Sequence, residues 1–288
     1  MNSLLKTLLE RYHPQNNKDR ENAIKEVIQE IALSGLSRSA FFQKAAFYGG
    51  SCLRLFYGLN RFSEDLDFVL LQKDDSFSLE PYFPALEKEF ASYGLSVQVE
   101  SKPVDKEIKT AFIKGNTLML MMSFFPESEE AKQFVSNQKI RVKFELDTDN
   151  PAGGESEILY RFLPSPYEVR VFTEPTLFAG KIHAILCREY RNRVKGRDYY
   201  DYLFYVAKGS PFSLKYLENK LKNTGKISQE TSCTLAMVKE MLKERFQTTD
   251  YELAKKDVSN FVRDQDQGSL SLWGPALFLS TIDSLKAC

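Results

Sequence analysis

Gly49-Gly50-Ser51, followed by Arg61-Phe62-Ser63-Glu64-Asp65-Leu66-Asp67-Phe68, decides how the rest of this chain is read. A glycine pair ahead of a serine lets the backbone turn tightly and offers N–H groups and a hydroxyl to a phosphate. Asp65 and Asp67 flank a single residue. On a strand that spacing puts both carboxylates on one face and sends Leu66 and Phe68 to the other. Two like charges so close are costly unless a cation lies between them. Magnesium takes one or two carboxylates together with substrate phosphates. A phosphate cradle followed by a divalent-metal pair is equipment for moving a nucleotidyl group. Each part also has a plainer use. An Asp-x-Asp occurs at many exposed strand ends, Ser51 suits a helix N-cap, and Arg61 and Ser63 either contact phosphates or brace the loop.

Working outward, residues 45–48 read as a short strand entering the glycines, 51–57 as a helix opening directly after them, and 65–71 as a central strand. Upstream, Leu4, Leu5, Leu8 and Leu9 fall on one helical face. A second helix begins near Asp19, carries Ile24, Val27, Ile28 and Ile31, and stops around Gly35, after which Ser37 caps a short helix through Phe41 and Phe42. Downstream, the pattern predicts a helix over 81–93 capped by Gly94, a strand over 95–100, and strands over 108–113 and 117–124 around a turn at Lys114-Gly115-Asn116. Residues 139–147 alternate cleanly: Ile140, Val142, Phe144 and Leu146 point one way, and Arg141, Lys143, Glu145 and Asp147 the other. A loop at 150–154 leads to short strands over 158–162 and 168–172. From Pro175 onward the period is helical, with helices expected over 177–190, 198–206, 214–221, 231–246, 251–262 and 270–285. The organisation is thus a mixed α/β domain over 1–170 with N-terminal helices, then a helical region over 171–288.

The bulk properties permit this. With 288 residues and 43% hydrophobic content, a sizeable core forms. Lys+Arg and Asp+Glu both number 39, which argues against a general nucleic-acid coat but not against a local basic groove. The 22 Phe are core material. Cys52, Cys187, Cys233 and Cys288 are scattered, with no Cys-x-x-Cys and no paired histidine, which argues against a zinc site or disulfide framework and for free thiols in a reducing cytoplasm. The most apolar run, 118–125, is too short for a bilayer, so no membrane association is expected. His13 and His183 assemble no triad, which leaves nucleophilic hydrolysis without support.

The block Gly49-Gly50-Ser51-x-Leu53 … Arg61-Phe62-Ser63-Glu64-Asp65-Leu66-Asp67-Phe68 resembles the AbiEii toxin family of nucleotidyltransferases, which includes the MenT-like toxins and falls in the polymerase-β-like superfamily. A helix with a lysine and an arginine, Lys181-Ile182-His183-Ala184-Ile185-Leu186-Cys187-Arg188, and then Arg197-Asp198-Tyr199-Tyr200-Asp201, match the family's further motifs in the same order. The resemblance spans about residues 45 to 210 and implies an α+β fold, a mixed sheet with flanking helices followed by an all-helical C-terminal region. It implies that Asp65 and Asp67 hold Mg2+, that Gly49, Gly50, Ser51, Arg61, Ser63 and Lys181 bind the nucleotide, and that Asp198, with Asp201 as second choice, is needed for activity. The helical region would thereby contribute Lys181 and Asp198 to the active site. Glu145 is the candidate third carboxylate, with Asp147 on the same face as its alternative.

The resemblance further implies an NTP substrate, tRNA or another RNA as acceptor, a cognate antitoxin as partner, and a toxin role in abortive infection of phage-infected cells. The stretch holding Arg188, Arg191, Arg193, Lys195 and Arg197, with Tyr190, Tyr199, Tyr200 and Tyr202, is the most basic and aromatic in the chain. It reads either as an RNA-tracking surface with tyrosines free to stack on bases, or as a solvated helix end. Two alternatives stand beside the main reading: the same chemistry on a small molecule or protein, and a non-catalytic nucleotide- or RNA-binding module.

Overall fold

A computed structural model of the chain describes residues 3–102, 108–116, 120, 124, 139–189 and 193–288. The strands are β1 (Ala45–Tyr48), β2 (Leu66–Leu70), β3 (Gln98–Lys102), β4 (Ile108–Asn116), β5 (Lys139–Asp147), β6 (Ser156–Arg161) and β7 (Tyr167–Phe172). They form one mixed sheet in the order β3-β4-β5-β2-β1-β7-β6. β2 is antiparallel to β1 and parallel to β5, which in turn is antiparallel to β4. The expected α+β architecture is therefore present, with the strand bearing Asp67 in the middle of the sheet.

By proximity the chain divides into two compact units. The first holds residues 1–52, 63–150 and 157–171, and the second holds 53–62, 151–156 and 172–288. The change of composition near residue 171 marks one limit, and two short segments of the earlier half, Leu53–Phe62 and Pro151–Ser156, also belong with the helical unit.

In the first unit, β2 buries Leu66, Phe68 and Leu70 on one face. Phe68 stacks on Phe144 of β5 at 4.6 Å between ring centroids and takes Phe41 and Phe47 edge-on or tilted at 5.1 Å each. Such rings bury large apolar areas and gain further from these geometries, so this cluster is the core that sets the sheet's register. The helices are α1 (Ser3–Glu10), α2 (Asn17–Ser37), the single turn α3 (Gly49–Cys52) and α4 (Phe83–Ser92). Asn16 caps α2 by accepting from the Asp19 amide at 2.8 Å.

Several expectations are corrected here. The strand expected from residue 95 begins at Gln98, because the Leu95 amide folds back onto the Phe90 carbonyl at 3.1 Å and Gly94, at φ +74°, completes the cap of α4. Lys114-Gly115-Asn116 is no turn: all three pair with β5, as Lys114↔Arg141, Gly115↔Ile140 and Asn116↔Lys139. A strand as long as β5 offers partners along its whole length, which overrides the local turn preference. Of the strand expected over 117–124, Leu120 and Phe124 are described, both buried in helical backbone, and the rest lies outside the described residues.

The second unit carries α5 (Glu174–Cys187), α6 (Gly196–Lys208), α7 (Leu214–Asn223), α8 (Leu235–Thr248), α9 (Tyr251–Ser259) and α10 (Pro275–Ser280). The long helix expected over 270–285 is broken into a 3-10 turn, α10 and a second 3-10 turn. Pro275 has no amide to continue a helix through it, so α10 can only begin there. α6 lays Tyr199, Tyr202 and Tyr205 into the core without exposure, against Phe178, Phe246 and Phe278. Tyr199 and Tyr202 are therefore not available to stack on bases. Their hydroxyls reach Thr249 at 2.8 Å and Thr281 at 2.7 Å, as buried phenols require. Among the described residues no helix is long and apolar enough to cross a membrane, and all four cysteines are free thiols.

Candidate functional site

Two groups of the expected residues are built separately, one in each unit. In the first unit, Asp65 lies one residue ahead of β2 and Asp67 at its second position. Asp67 is in register with Glu145 on the parallel neighbour β5, so the two carboxylates share a face, whereas Asp147 pairs with Val69 two steps further on. Asp147 also accepts from the Asp149 amide at 3.0 Å, ordering the turn after β5. Glu145 lies 2.5 Å from Lys143.

Gly49 stands at φ +79°, and a Cβ there would collide with the Asp67 carboxylate. That close approach explains the first glycine of the pair. Backbone of the Gly49–Gly50 turn is thereby pressed directly against Asp67. Ser51 has a different task from the one its sequence suggests. It is the third residue of α3 and not an N-cap, it is fully buried, and its hydroxyl donates to the Asp65 carbonyl. Ser51 thus ties the turn to the start of β2. Ser63 is buried as well, and its carbonyl accepts from Gln29 Nε2 at 3.0 Å.

Gln29 was not singled out in the sequence. The available signal is a glutamine inside the apolar run Ile24, Val27, Ile28, Ile31, where a fully buried amide needs partners. Its amide also approaches the Ser51 hydroxyl at 3.5 Å. The chemistry of this donor set, hard carboxylate oxygens at one end of β2, suits magnesium. Among the described residues no three His, Cys, Asp or Glu side chains already converge, so the fit is a pair of aspartates completed by substrate oxygens.

The second group is a buried ion cluster. Lys181 on α5 places Nζ 2.8 Å from Asp198 Oδ1 and 2.8 Å from Asp201 Oδ2. Asp198 and Asp201 are three residues apart on α6 and so present one face. Arg61 forks onto Asp201 through Nε at 2.6 Å and Nη2 at 2.7 Å, and Arg188 lies 3.1 Å from Asp198 Oδ2. Of the roles left open to Arg61, the structure supports bracing, because the guanidinium is buried and bidentate on Asp201. Asp201 is correspondingly no surface partner of Lys195 or Arg197.

Burial opposes the charge on Asp198, but Lys181, Arg188 and Lys195 outweigh it and hold the carboxyl at about 2. The same contest, won by Arg61 and Lys181, lowers Asp201. Burial also works against the charge of Lys181, and the two carboxylates overcome it, raising its pKa above that of ordinary lysine. Three cations thus serve two carboxylates, with Arg61 and Lys181 largely buried and Arg188 exposed. Lys195, just ahead of α6, is pushed down to about 8 by burial, with Asp198 opposing and the neighbouring cations Arg188, Lys181 and Arg197 adding to the effect.

The remaining basic residues are largely engaged. Arg193 Nε donates to Asp257 at 2.7 Å, and Arg197 lies over the Phe261 ring at 4.1 Å with the same aspartate at 3.9 Å. Arg191 and Tyr190 lie outside the described residues. His183 bonds the Thr224 hydroxyl at 3.2 Å, away from the Lys181 cluster.

The family model described as "Nucleotidyl transferase AbiEii toxin, Type IV TA system" matches residues 31–276. No curated protein sequence matches the chain. Among solved structures, MenT4, a nucleotidyltransferase toxin from Mycobacterium tuberculosis, is similar with a TM-score of 0.61 at 15% identity, covering 97% of this chain and 88% of that one. A putative nucleotidyltransferase from H. pylori gives a TM-score of 0.45 at 17% identity, over 90% of this chain and 95% of that one. The fold is shared with MenT4, and the family match runs from within α2 to α10, across both groups of residues. The chain belongs to the AbiEii family of nucleotidyltransferase toxins of type IV toxin–antitoxin systems.

Proposed function

We propose that this protein is a cytoplasmic, magnesium-dependent enzyme that transfers a nucleoside monophosphate from an NTP to the 3′ end of tRNA. Its biological role on this reading is a toxin opposed by a cognate antitoxin in abortive infection. The observation that carries the chemistry is the Asp65-Leu66-Asp67 pair at the entry of the central strand, with Glu145 in register and the Gly49 backbone against Asp67.

In the proposed reaction the acceptor hydroxyl oxygen bonds to the α-phosphorus, the bond from that phosphorus to the β-phosphate oxygen breaks, and pyrophosphate leaves. Magnesium held by Asp65 and Asp67 would neutralise charge at the reacting phosphate and acidify the acceptor hydroxyl. Lys181 serves the triphosphate as a point charge. Asp198 and Asp201 hold Lys181 ionised and aimed. Asp198, at about 2, is a poor proton acceptor at neutral pH, and Glu145 is the other candidate for that role. The Gly49–Gly50 backbone approaches the phosphates, while Ser51, Ser63 and Arg61 position the elements around it.

The test is transfer of label from each α-labelled NTP to total tRNA, resolved on a denaturing gel beside Asp65→Ala. Labelled tRNA from one preferred NTP, lost in the variant, is the expected result. Retained transfer in a folded Asp65→Ala protein rules out the metal assignment. A second reading, a small-molecule or protein acceptor, is favoured by one observation: Arg193 and Arg197 of the basic stretch are already engaged with Asp257. Label on a species other than RNA would select it.

A further inference from the structure

A second basic face lies in the helical unit, where the C-terminal ends of α5 and α7 meet. His183 and Cys187 on α5 both reach the Thr224 hydroxyl, at 3.2 Å and 3.7 Å. Thr224 closes α7, is exposed, and also donates to the Lys220 carbonyl at 3.0 Å. Four cations belong to the neighbouring segments: Lys220 in the last turn of α7, with its ammonium 5.5 Å from the Tyr216 ring, Lys226 after that helix, Arg188 after α5, and Arg245 in the last turn of α8. Lys220 and Arg188 act on His183, and Lys226, Arg245 and Lys220 act on Cys187. Burial first, then Lys220 and Arg188, hold the imidazole at about 4, so it is neutral at physiological pH.

Cations at helix C-termini have an ordinary use, and Arg245 has it. Its Nε donates to the Ile185 carbonyl at 2.7 Å and its Nη2 to the Arg188 carbonyl, capping α5. Arg188 is shared with Asp198. Capping does not explain Lys226, which is exposed beyond the end of α7. Lysine side chains able to reach solvent are groups that contact phosphodiester oxygens.

We propose that Lys220 and Lys226 form a binding face for the phosphate backbone of RNA, with His183 and Thr224 fixing the ends of α5 and α7 beneath them. The inference deepens the acceptor reading above and rests on it for the class of ligand. Because the contacts are to phosphate, the face carries affinity and orientation and reads no sequence.

The experiment is fluorescence anisotropy of the full chain with end-labelled tRNA across a salt series, without NTP, for the wild type, Lys220→Ala/Lys226→Ala and Lys220→Arg/Lys226→Arg. Thermal melts check that each variant folds, and the gel assay of label transfer is run in parallel. The alanine pair is expected to bind about tenfold more weakly and to lose about 0.7 per lysine from the slope of log affinity against log salt; the arginine pair retains both. Unchanged affinity and slope in a folded alanine pair overturn the inference, as does a wild type that binds no tRNA. Weakened binding that the arginine pair fails to restore also overturns it, because the effect is then structural. A wild type that binds tRNA through these lysines but labels another species leaves this face standing and removes the acceptor reading.

Discussion

At the scale of single residues, charge and backbone geometry carry the testable content. Arg61 and Asp201 are both buried and fork-bonded, so Asp201→Ala strands a guanidinium with no compensating carboxylate. A loss of about 3–5 kcal/mol is expected, measured by denaturant titration, with Asp201→Asn intermediate because the fork keeps an acceptor. Gly49→Ala meets both a left-handed backbone and the Asp67 carboxylate. It should cost about 1–2 kcal/mol from the backbone alone and lower transfer further by displacing Asp67; wild-type transfer rates in that variant would remove Gly49 from the cradle. His183 has a pH signature. Its pKa is depressed to about 4 in the folded chain against an ordinary 6.5, so the unfolded chain binds the extra proton first. The contribution of His183 to stability is present above pH 6.5, is lost as pH falls, and is exhausted below about 4. His183→Gln should flatten the stability profile over that window and leave the acid limb below it, which belongs to carboxylates such as Asp198, in place.

At the scale of elements, strand β5 has the limits that its alternation predicts, because one of its faces is buried. Strand β1 also has its expected limits, ending before Gly49, although its first three residues are all buried. Phe144 is the ring on which Phe68 stacks, so Phe144→Ala should destabilise the protein by about 3–5 kcal/mol in a denaturation series and loosen the register that brings Glu145 beside Asp67. The elements that depart from expectation do so for different reasons. The turn expected at Lys114-Gly115-Asn116 yields to nine residues of pairing with β5, and the strand expected from residue 95 yields to the cap of α4. The single helix expected over 270–285 fails for the opposite reason, since Gly274-Pro275 was a local stop signal inside an otherwise helical period.

At the scale of the whole molecule, the helical unit is not a simple C-terminal tail. Leu53–Phe62 belongs to it and brings Arg61 to Asp201, and Pro151–Ser156 belongs to it as well. A fragment of residues 172–288 lacks that arginine, so buried Asp201 loses its bidentate partner and keeps only Lys181. It should show no cooperative melt by circular dichroism; a sharp transition would mean that the cluster is dispensable for folding.

The sequence by itself determined the family-bearing motifs, the mixed sheet followed by helices, and the candidacy of Asp65, Asp67, Glu145, Lys181 and Asp198, because residue spacing translates directly into faces of strands and helices. Only the tertiary structure decided what each polar group touches. Ser51 turns inward to the Asp65 carbonyl, Arg61 and Asp201 close on each other 140 residues apart, Tyr199 and Tyr202 enter the core, and Arg193 and Arg197 are engaged by Asp257. Burial makes an unpaired charge or hydroxyl costly, and the partner that relieves that cost is supplied by a distant segment that no local pattern names.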